Sequence, residues 1–392
     1  MSAGVAVGLE APARIETGAG ALDRLGEIAR GLGSHALLVT GRSNRHARAV
    51  ELLEAAGIRW ARFAVDGEPT VDTARAGTAA ARAAGCDLVI GLGGGSALDA
   101  AKAIAALVAN GGDPLDYLEV VGRGQALARP SLPFIAIPTT AGTGSEVTKN
   151  AVLSSPEHGV KASLRSPLMM ARAAIIDPDL LAGLPPAVIA SSGVDALSQV
   201  IEPFLSIRAN ASTDPLAREG IRRSAAALPR AYAAARAGRP IDPDDRQALA
   251  QASLLGGLCL ANAGLGAVHG FAAPLGGMFA APHGAVCAAL LPAVLRVNAH
   301  AIAARAPGSV AQKRLREVAA MLTGRDDAST NDGIEWVAEL GRALEVPGLA
   351  RYGMTAARIP ELVAKARVAS SMKGNPLPLT DDELAEIAAT SL

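Results

Sequence analysis

The stretch Asp87-Leu88-Val89-Ile90-Gly91-Leu92-Gly93-Gly94-Gly95-Ser96 decides the fold. Leu88 to Leu92 reads as a short buried strand, and it runs into a glycine turn before a strongly helical stretch from Ala97 to Asn110. The same alternation extends on both sides. Ala36 to Thr40 and Arg62 to Val65 read as strands, with helical stretches at Asn44 to Ala56 and Thr70 to Gly85, and Phe134 to Pro138 reads as a fourth strand. Strands and helices of these lengths predict βαβ units and a parallel sheet. Lys161 to Asp179 continues in strand and loop character, and Leu184-Pro185-Pro186 marks a break. Beyond it the β-branched runs nearly vanish, and Ala/Leu-rich helical periodicity persists almost to the end. The chain is therefore expected to pair an α/β domain over 1–183 with an all-α domain over 184–392.

Composition narrows the functional classes. Half of the 392 residues are apolar, enough for sizeable cores, and Lys+Arg and Asp+Glu balance at 37 each. That balance removes the electrostatic footprint of a nucleic-acid binder. Cys86, Cys259 and Cys287 are widely spaced in apolar surroundings and read as reduced core residues of a cytoplasmic protein, not as disulfides or thiolate metal ligands. No basic stretch followed by an apolar run opens the sequence, so no signal peptide is expected. The uncharged segment between Arg246 and Arg296 is interrupted by Pro274, Pro282, Pro292 and many glycines, so buried helices are expected there and no membrane span.

Two loops carry candidate chemistry. The glycines of Gly93 to Ser96 let backbone N–H groups approach an anion at a helix N-terminus; a tight strand-to-helix turn is the plain alternative. Thr139-Thr140-Ala141-Gly142-Thr143-Gly144-Ser145-Glu146 follows the fourth strand, and its hydroxyls suit phosphate and ribose. Asp99 and Lys102 in the intervening helix suit either a site or a solvated face.

The uncharged segment also holds His269 and His283, two of six histidines, each followed by glycine. Buried imidazoles need partners, either backbone groups or a metal. Asp195 and Gln199 stand at i and i+4 of a predicted helix from Val188 to Phe204, with no cation nearby in sequence.

Taken in order, these segments resemble the iron-dependent (group III) alcohol dehydrogenase family over nearly the whole chain. The resemblance rests on Gly93 to Lys102, Thr139 to Thr148, Leu164 to Pro167 with Asp177-Pro178, Gly193 to Leu197, Pro274 to Gly277 with Pro282-His283-Gly284, and Gly374-Asn375-Pro376. It implies a Rossmann-like N-terminal domain and an all-helical C-terminal domain, the dehydroquinate synthase-like arrangement. A nicotinamide cofactor would lie in the interdomain cleft beside a divalent metal, Fe²⁺ or Zn²⁺. A homodimer or higher homo-oligomer is also implied. The family's metal ligands fall on Asp195, Gln199, His269 and His283, and Asp195, His269 and His283 are the implied catalytic residues. Gln199 replaces a usual histidine, Ala273 replaces a histidine near substrate, and Cys287 stands where asparagine is general.

Those departures have chemical weight. Asp, His, His suits Fe²⁺ or Zn²⁺, while a Gln carbonyl is a weaker donor that lowers affinity by roughly 10–100-fold. Three readings are compatible: three ligands plus Gln199 or water, metal-independent reduction, or a retired site. Maleylacetate reductases, a branch of the family, also depart from the ligand pattern.

The implied reaction is reversible NAD(P)-dependent hydride transfer between an alcohol and its aldehyde or ketone. The resemblance assigns cofactor contacts to Gly94, Gly95, Ser96, Asp99, Thr139, Thr140, Thr143, Val152, Lys161 and Leu180, and a substrate wall to Asn150 and Phe271. NAD-preferring members often carry an acidic residue after the strand that ends at Thr40. Here Gly41-Arg42-Ser43 occupies that turn, which favours a 2′-phosphate and hence NADP over NAD. Apolar Phe271, Ala272, Ala273, Leu275 and Met278 favour an uncharged or weakly polar small-molecule alcohol or aldehyde. The glycerol-1-phosphate dehydrogenase branch would want a basic cluster that this segment lacks. An inactive cofactor-binding homologue is equally compatible with intact loops.

Overall fold

Leu37 and Val39 enter one apolar cluster while Ala36 and Leu38 enter another, the two-residue repeat of a strand covered on both faces. A computed structural model describes residues 8–42, 45–279 and 281–392. In the unit Ala11–Ala182 the strands are β1 (Arg14–Thr17), β2 (His35–Thr40), β3 (Arg59–Ala64), β4 (Leu88–Gly93), β5 (Phe134–Pro138), β6 (Asn150–Ser155), β7 (Val160–Arg165) and β8 (Ala173–Ile176). Six form one sheet in the order β1-β8-β5-β4-β2-β3, with every pairing parallel. β6 and β7 form a separate antiparallel hairpin. The helices are α1 (Leu25–Arg30), α2 (Ala47–Ala55), α3 (Val71–Ala84), α4 (Gly95–Asn110) and α5 (Pro114–Tyr117). Residues of α1 and α2 pack on one face of the sheet, and residues of α3 and α4 on the other.

Local chemistry sets these elements. Thr70 caps α3, its hydroxyl accepting from the Thr73 N–H at 3.1 Å, and Gly85 ends that helix with φ +65°. The expected strands are β2 to β5 and the expected helices α2 to α4. α4 starts at Gly95, earlier than the Ala97 expected, so the glycine turn supplies its first N–H groups. β1 and β6 are not expected from sequence: β1 has Ile15 as its only apolar residue, and β6 is half polar.

The topology places one edge in a special position. β2 has β3 on one flank and β4 on the other, so successive crossovers leave in opposite directions. Open parallel sheets bind ligands beyond the carboxyl ends of strands at such a switch point. A Cβ on Gly93 would lie 3.6 Å from the Gly41 backbone nitrogen, so the turns after β4 and β2 adjoin there.

The other unit is Gly183–Leu392 with the segment that ends at Glu10. Its helices are α6 (Pro186–Leu205), α7 (Thr213–Arg236), α8 (Pro243–Ala263), α9 (Ala267–Met278), α10 (His283–Arg305), α11 (Val310–Thr323), α12 (Thr330–Ala343), α13 (Ile359–Val368) and α14 (Asp381–Thr390). α6 is central. It packs against α7, α8 and α10, and every residue from Gly193 to Leu205 is buried. α8 and α9 meet at 97°, across a break where Gly264 adopts φ +70°. α10 has the length and composition of a membrane-crossing helix, but 72% of its apolar window is buried within the chain, as in a core helix. Thr380 caps α14 through a reciprocal bond pair with Glu383. The N-terminal segment is tied in by Asn262, whose Nδ2 donates to the Glu10 carbonyl at 2.9 Å and whose Oδ1 accepts from the Glu10 N–H at 2.6 Å.

Candidate active site

Asp195, Gln199 and Glu202 recur at i, i+4 and i+7 along α6, which sets them on one helix face. They are 1%, 2% and 5% exposed, so each needs a polar partner. α9 and α10 bring those partners. His269 Nε2 lies 3.3 Å from Asp195 Oδ1, and His283 Nε2 lies 3.7 Å from the same oxygen. Cys287, one helical turn after His283, places Sγ 3.8 Å from His269 Nε2 and 3.7 Å from His283 Nε2. The four donor atoms all lie within 4.8 Å of one another. Asp195 Oδ1 has no hydrogen-bond partner among the described residues.

The electrostatics of this cluster favour positive charge. Burial alone would raise the Asp195 pKa, yet His283 and His269 outweigh it and hold the carboxyl below its ordinary range. Burial opposes charge on His269, but the Cys287 sulfur, with Asp195 and Glu202, carries its pKa well above the usual histidine value. At His283 the Cys287 sulfur dominates and the pKa rises to about 9. A field that holds extra protons on two imidazoles is also one that holds a cation. With convergent O, N, N and S donors, from buried Asp195, His269 and Cys287 and partly exposed His283, these residues fit a divalent metal.

The α/β unit carries the nucleotide loops. Thr139 N–H donates to the Gly93 carbonyl at 2.9 Å, joining the turns after β5 and β4. A Cβ on Gly94 would meet Thr140 Oγ1 at 3.3 Å, and one on Gly95 would meet Thr143 Cγ2 at 2.7 Å. The missing Cβ atoms thus let the Thr140–Thr143 loop lie close against the N-terminus of α4, where Ser96 occupies the first turn. Asp99 accepts from Ser145 Oγ at 2.5 Å and from the Val152 N–H at 3.0 Å, pinning the hairpin to α4. Lys102 is not a solvated face. It is buried, and its Nζ donates to the carbonyls of Ser145 and Asn150 and the hydroxyls of Ser145 and Thr148 at 2.7 to 3.0 Å.

Other expected residues have protein partners of their own. Lys161 pairs with Glu68. The Leu180 carbonyl accepts from Arg45 at 3.0 Å. Arg42 pairs with Asp66 at 2.9 Å, and Arg62 donates to Thr40 Oγ1 and the Gly41 carbonyl, so guanidinium groups of both flank the turn after β2. Ser43 lies outside the described residues. Asn150 belongs to the α/β unit and Phe271 to the helical unit. Phe271, Ala272 and Leu275 are at most 1% exposed, packed as helical core, whereas Ala273 is exposed.

Sequence reasoning missed Glu202, Arg62 and the placement of Cys287. Cys287 is buried as expected, but its sulfur faces both imidazoles instead of plain apolar core, which corrects the reading of it as an inert core cysteine. Its spacing of four from His283 carried that signal. Glu202 was marked by its i+7 position from Asp195.

Comparison with known proteins identifies the family. The family model for iron-containing alcohol dehydrogenase matches residues 12–178, and that for the Fe-containing alcohol dehydrogenase family, C-terminal, matches 189–392. Lactaldehyde reductase from Escherichia coli (strain K12) is 33% identical over 352 residues, covering 88% of this chain and 87% of its own. Choline dehydrogenase from Bacillus subtilis (strain 168) is 35% identical over 384 residues, covering 95% and 92%. The crystal structure of a 1,3-propanediol oxidoreductase is similar at a TM-score of 0.89 and 31% identity, covering 99% of this chain and 100% of that one. The chain belongs to the iron-containing alcohol dehydrogenase family, whose members are NAD(P)-dependent oxidoreductases that interconvert alcohols and aldehydes.

Proposed function

We propose that this enzyme reduces small uncharged aldehydes or ketones with NADPH, and runs the reverse reaction, using a divalent metal held by the α6–α9–α10 cluster. The observation that carries the reading is the convergence of Asp195 Oδ1, His269 Nε2, His283 Nε2 and Cys287 Sγ within 4.8 Å. A cation bound there supplies Lewis-acid polarisation of the carbonyl oxygen. The chain's own residues do the rest. Glu202 holds Nδ1 of His269 and so turns Nε2 toward the cluster. The Gly94 and Gly95 turn and the Thr139 to Thr143 loop offer N–H and hydroxyl groups to a pyrophosphate. Arg42 and Arg62 beside the Gly41 turn favour a 2′-phosphate over a bare ribose hydroxyl. Exposed Ala273 brings no imidazole to carry a proton, so water delivers it to the alkoxide. The lack of charged residues between Arg246 and Arg296 supports an uncharged substrate.

The test is oxidation of NADPH and of NADH across an aldehyde panel, with and without chelator, alongside metal analysis. Chelator-sensitive turnover with a lower KM for NADPH is expected. Full activity with no metal bound would overturn the metal-assisted reading, turnover confined to polyanionic substrates would overturn the substrate class, and a lower KM for NADH would overturn the cofactor choice.

A further inference from the structure

We infer that Cys287 supplies a thiolate ligand, so that the centre is an Asp195–His269–His283–Cys287 set that selects zinc, with Gln199 beside it. The inference rests on the proposal that a divalent cation binds at this cluster.

The spacing is that of a tetrahedral donor set, which can expand to a fifth position for a substrate oxygen. With Zn–N and Zn–O near 2.0–2.1 Å and Zn–S near 2.3 Å, the edges of a tetrahedral site are roughly 3.3–3.6 Å. Asp195 Oδ1 lies 3.3 and 3.7 Å from the two imidazole nitrogens, and Cys287 Sγ lies 3.8 and 3.7 Å from the same two. These edges are within a few tenths of an ångström of that range, and the remaining two stay under 4.8 Å. A second observation points to a ligand independently of the cysteine. Asp195 is 1% exposed, and its Oδ1, aimed at this centre, has no hydrogen-bond partner among the described residues. Such an oxygen is costly to bury unless a cation meets it.

Helix spacing makes Cys287 a natural ligand. His283 and Cys287 stand at i and i+4 on α10, the same separation that joins Asp195 and Gln199 on α6. Gln199 offers a neutral amide oxygen, whereas Cys287 offers a charged, polarisable sulfur. Divalent zinc takes thiolate over carbonyl oxygen, and mixed N and S sets bind Zn²⁺ more tightly than Fe²⁺. Chemistry shifts accordingly from an iron-type site toward a zinc site with one sulfur.

The full-length enzyme, stripped with chelator and reloaded with Zn²⁺ or Co²⁺ alone, gives the test. Zinc X-ray absorption should show one sulfur at about 2.3 Å. The Co²⁺ form should show a near-ultraviolet thiolate-to-cobalt charge-transfer band. Cys287→Ser should abolish the band and weaken Zn²⁺ binding by more than the roughly 10–100-fold lost with a supporting group. Gln199→Ala should keep both the band and the sulfur. One bound metal with only N and O neighbours would overturn the ligand assignment while leaving the proposed reaction standing. Failure of the wild-type chain to hold any metal would overturn it as well. A sulfur-ligated metal without aldehyde turnover would support the assignment and refute the reaction.

Discussion

Glu202 and His269 form a buried carboxylate–imidazole contact of 2.6 Å between Oε2 and Nδ1, while the other carboxylate oxygen accepts the Val268 N–H, also at 2.6 Å. A carboxylate only accepts, so Nδ1 donates to Glu202 and Nε2 is turned to the cluster, where a bound metal would take the place of its proton. Glu202→Gln keeps the shape and removes the charge that fixes this tautomer. Metal affinity should fall about 10–100-fold with the fold intact. Calorimetric titration with Zn²⁺ and far-ultraviolet circular dichroism check it; an unchanged Kd would show that Glu202 only packs.

The turn after β2 yields a prediction on cofactor choice. Arg62 bonds the Gly41 carbonyl at 3.3 Å, and Arg42 stands on the same turn. Arg42→Ala should raise KM for NADPH about 10-fold, the loss of one bidentate charged contact, while KM for NADH changes little. Parallel loss for both cofactors would place Arg42 outside the phosphate site.

Gly95 tests the nucleotide loop by sterics alone. Its absent Cβ would sit 2.7 Å from Thr143 Cγ2. Gly95→Ala should therefore destabilise the enzyme by about 1–3 kcal/mol and weaken cofactor binding. Adding Thr143→Ser removes that methyl and should recover much of the loss, since touching residues are not additive. Thermal melts of both variants decide the matter, and no recovery in the double variant would refute the contact.

Much of this was legible in the chain, for reasons that differ by residue. Leu88 to Leu92 is buried on both faces, so the sheet wrote itself as apolar runs. β1 escaped because an edge strand such as Arg14–Thr17 has no such run. His269 and His283 stand out against an uncharged segment, whereas helix spacing hints at Glu202 and Cys287 and only the packing of α6, α9 and α10 fixes what they touch. Lys102 shows the limit most sharply. A lysine on a helix reads as solvated, and only the loop folded over it reveals four acceptors around its ammonium.

That lysine has a buried counterpart, which gives a pH prediction. Burial pushes the Glu146 carboxyl up from its usual 4.5 to about 7, against the pull of Lys102, and its Oε1 has no hydrogen-bond partner among the described residues. Burial likewise lowers Lys102 from 10.5 to about 8. A raised carboxyl pKa means that the folded state holds its proton more tightly, so this stabilisation is full below pH 4.5 and is lost as pH rises through 7. Lowered Lys102 contributes the reverse: its charging cost is present below pH 8 and disappears as pH rises toward 10.5. Glu146→Gln should remove the first effect, on the order of 3 kcal/mol, from denaturant melts between pH 4.5 and 7. Parallel curves for variant and wild type across that range would refute it.

Asn262 clasps the backbone of Glu10 with both ends of its amide, although Ala11 to Ala182 builds the other unit in between. The helical unit is thus discontinuous along the chain. During synthesis Glu10 emerges long before α8, which carries its partner Asn262, with the whole of Ala11–Ala182 made in between. Glu10 therefore waits for its partner, and a fragment that starts at Gly183 would leave the Asn262 amide without those two bonds.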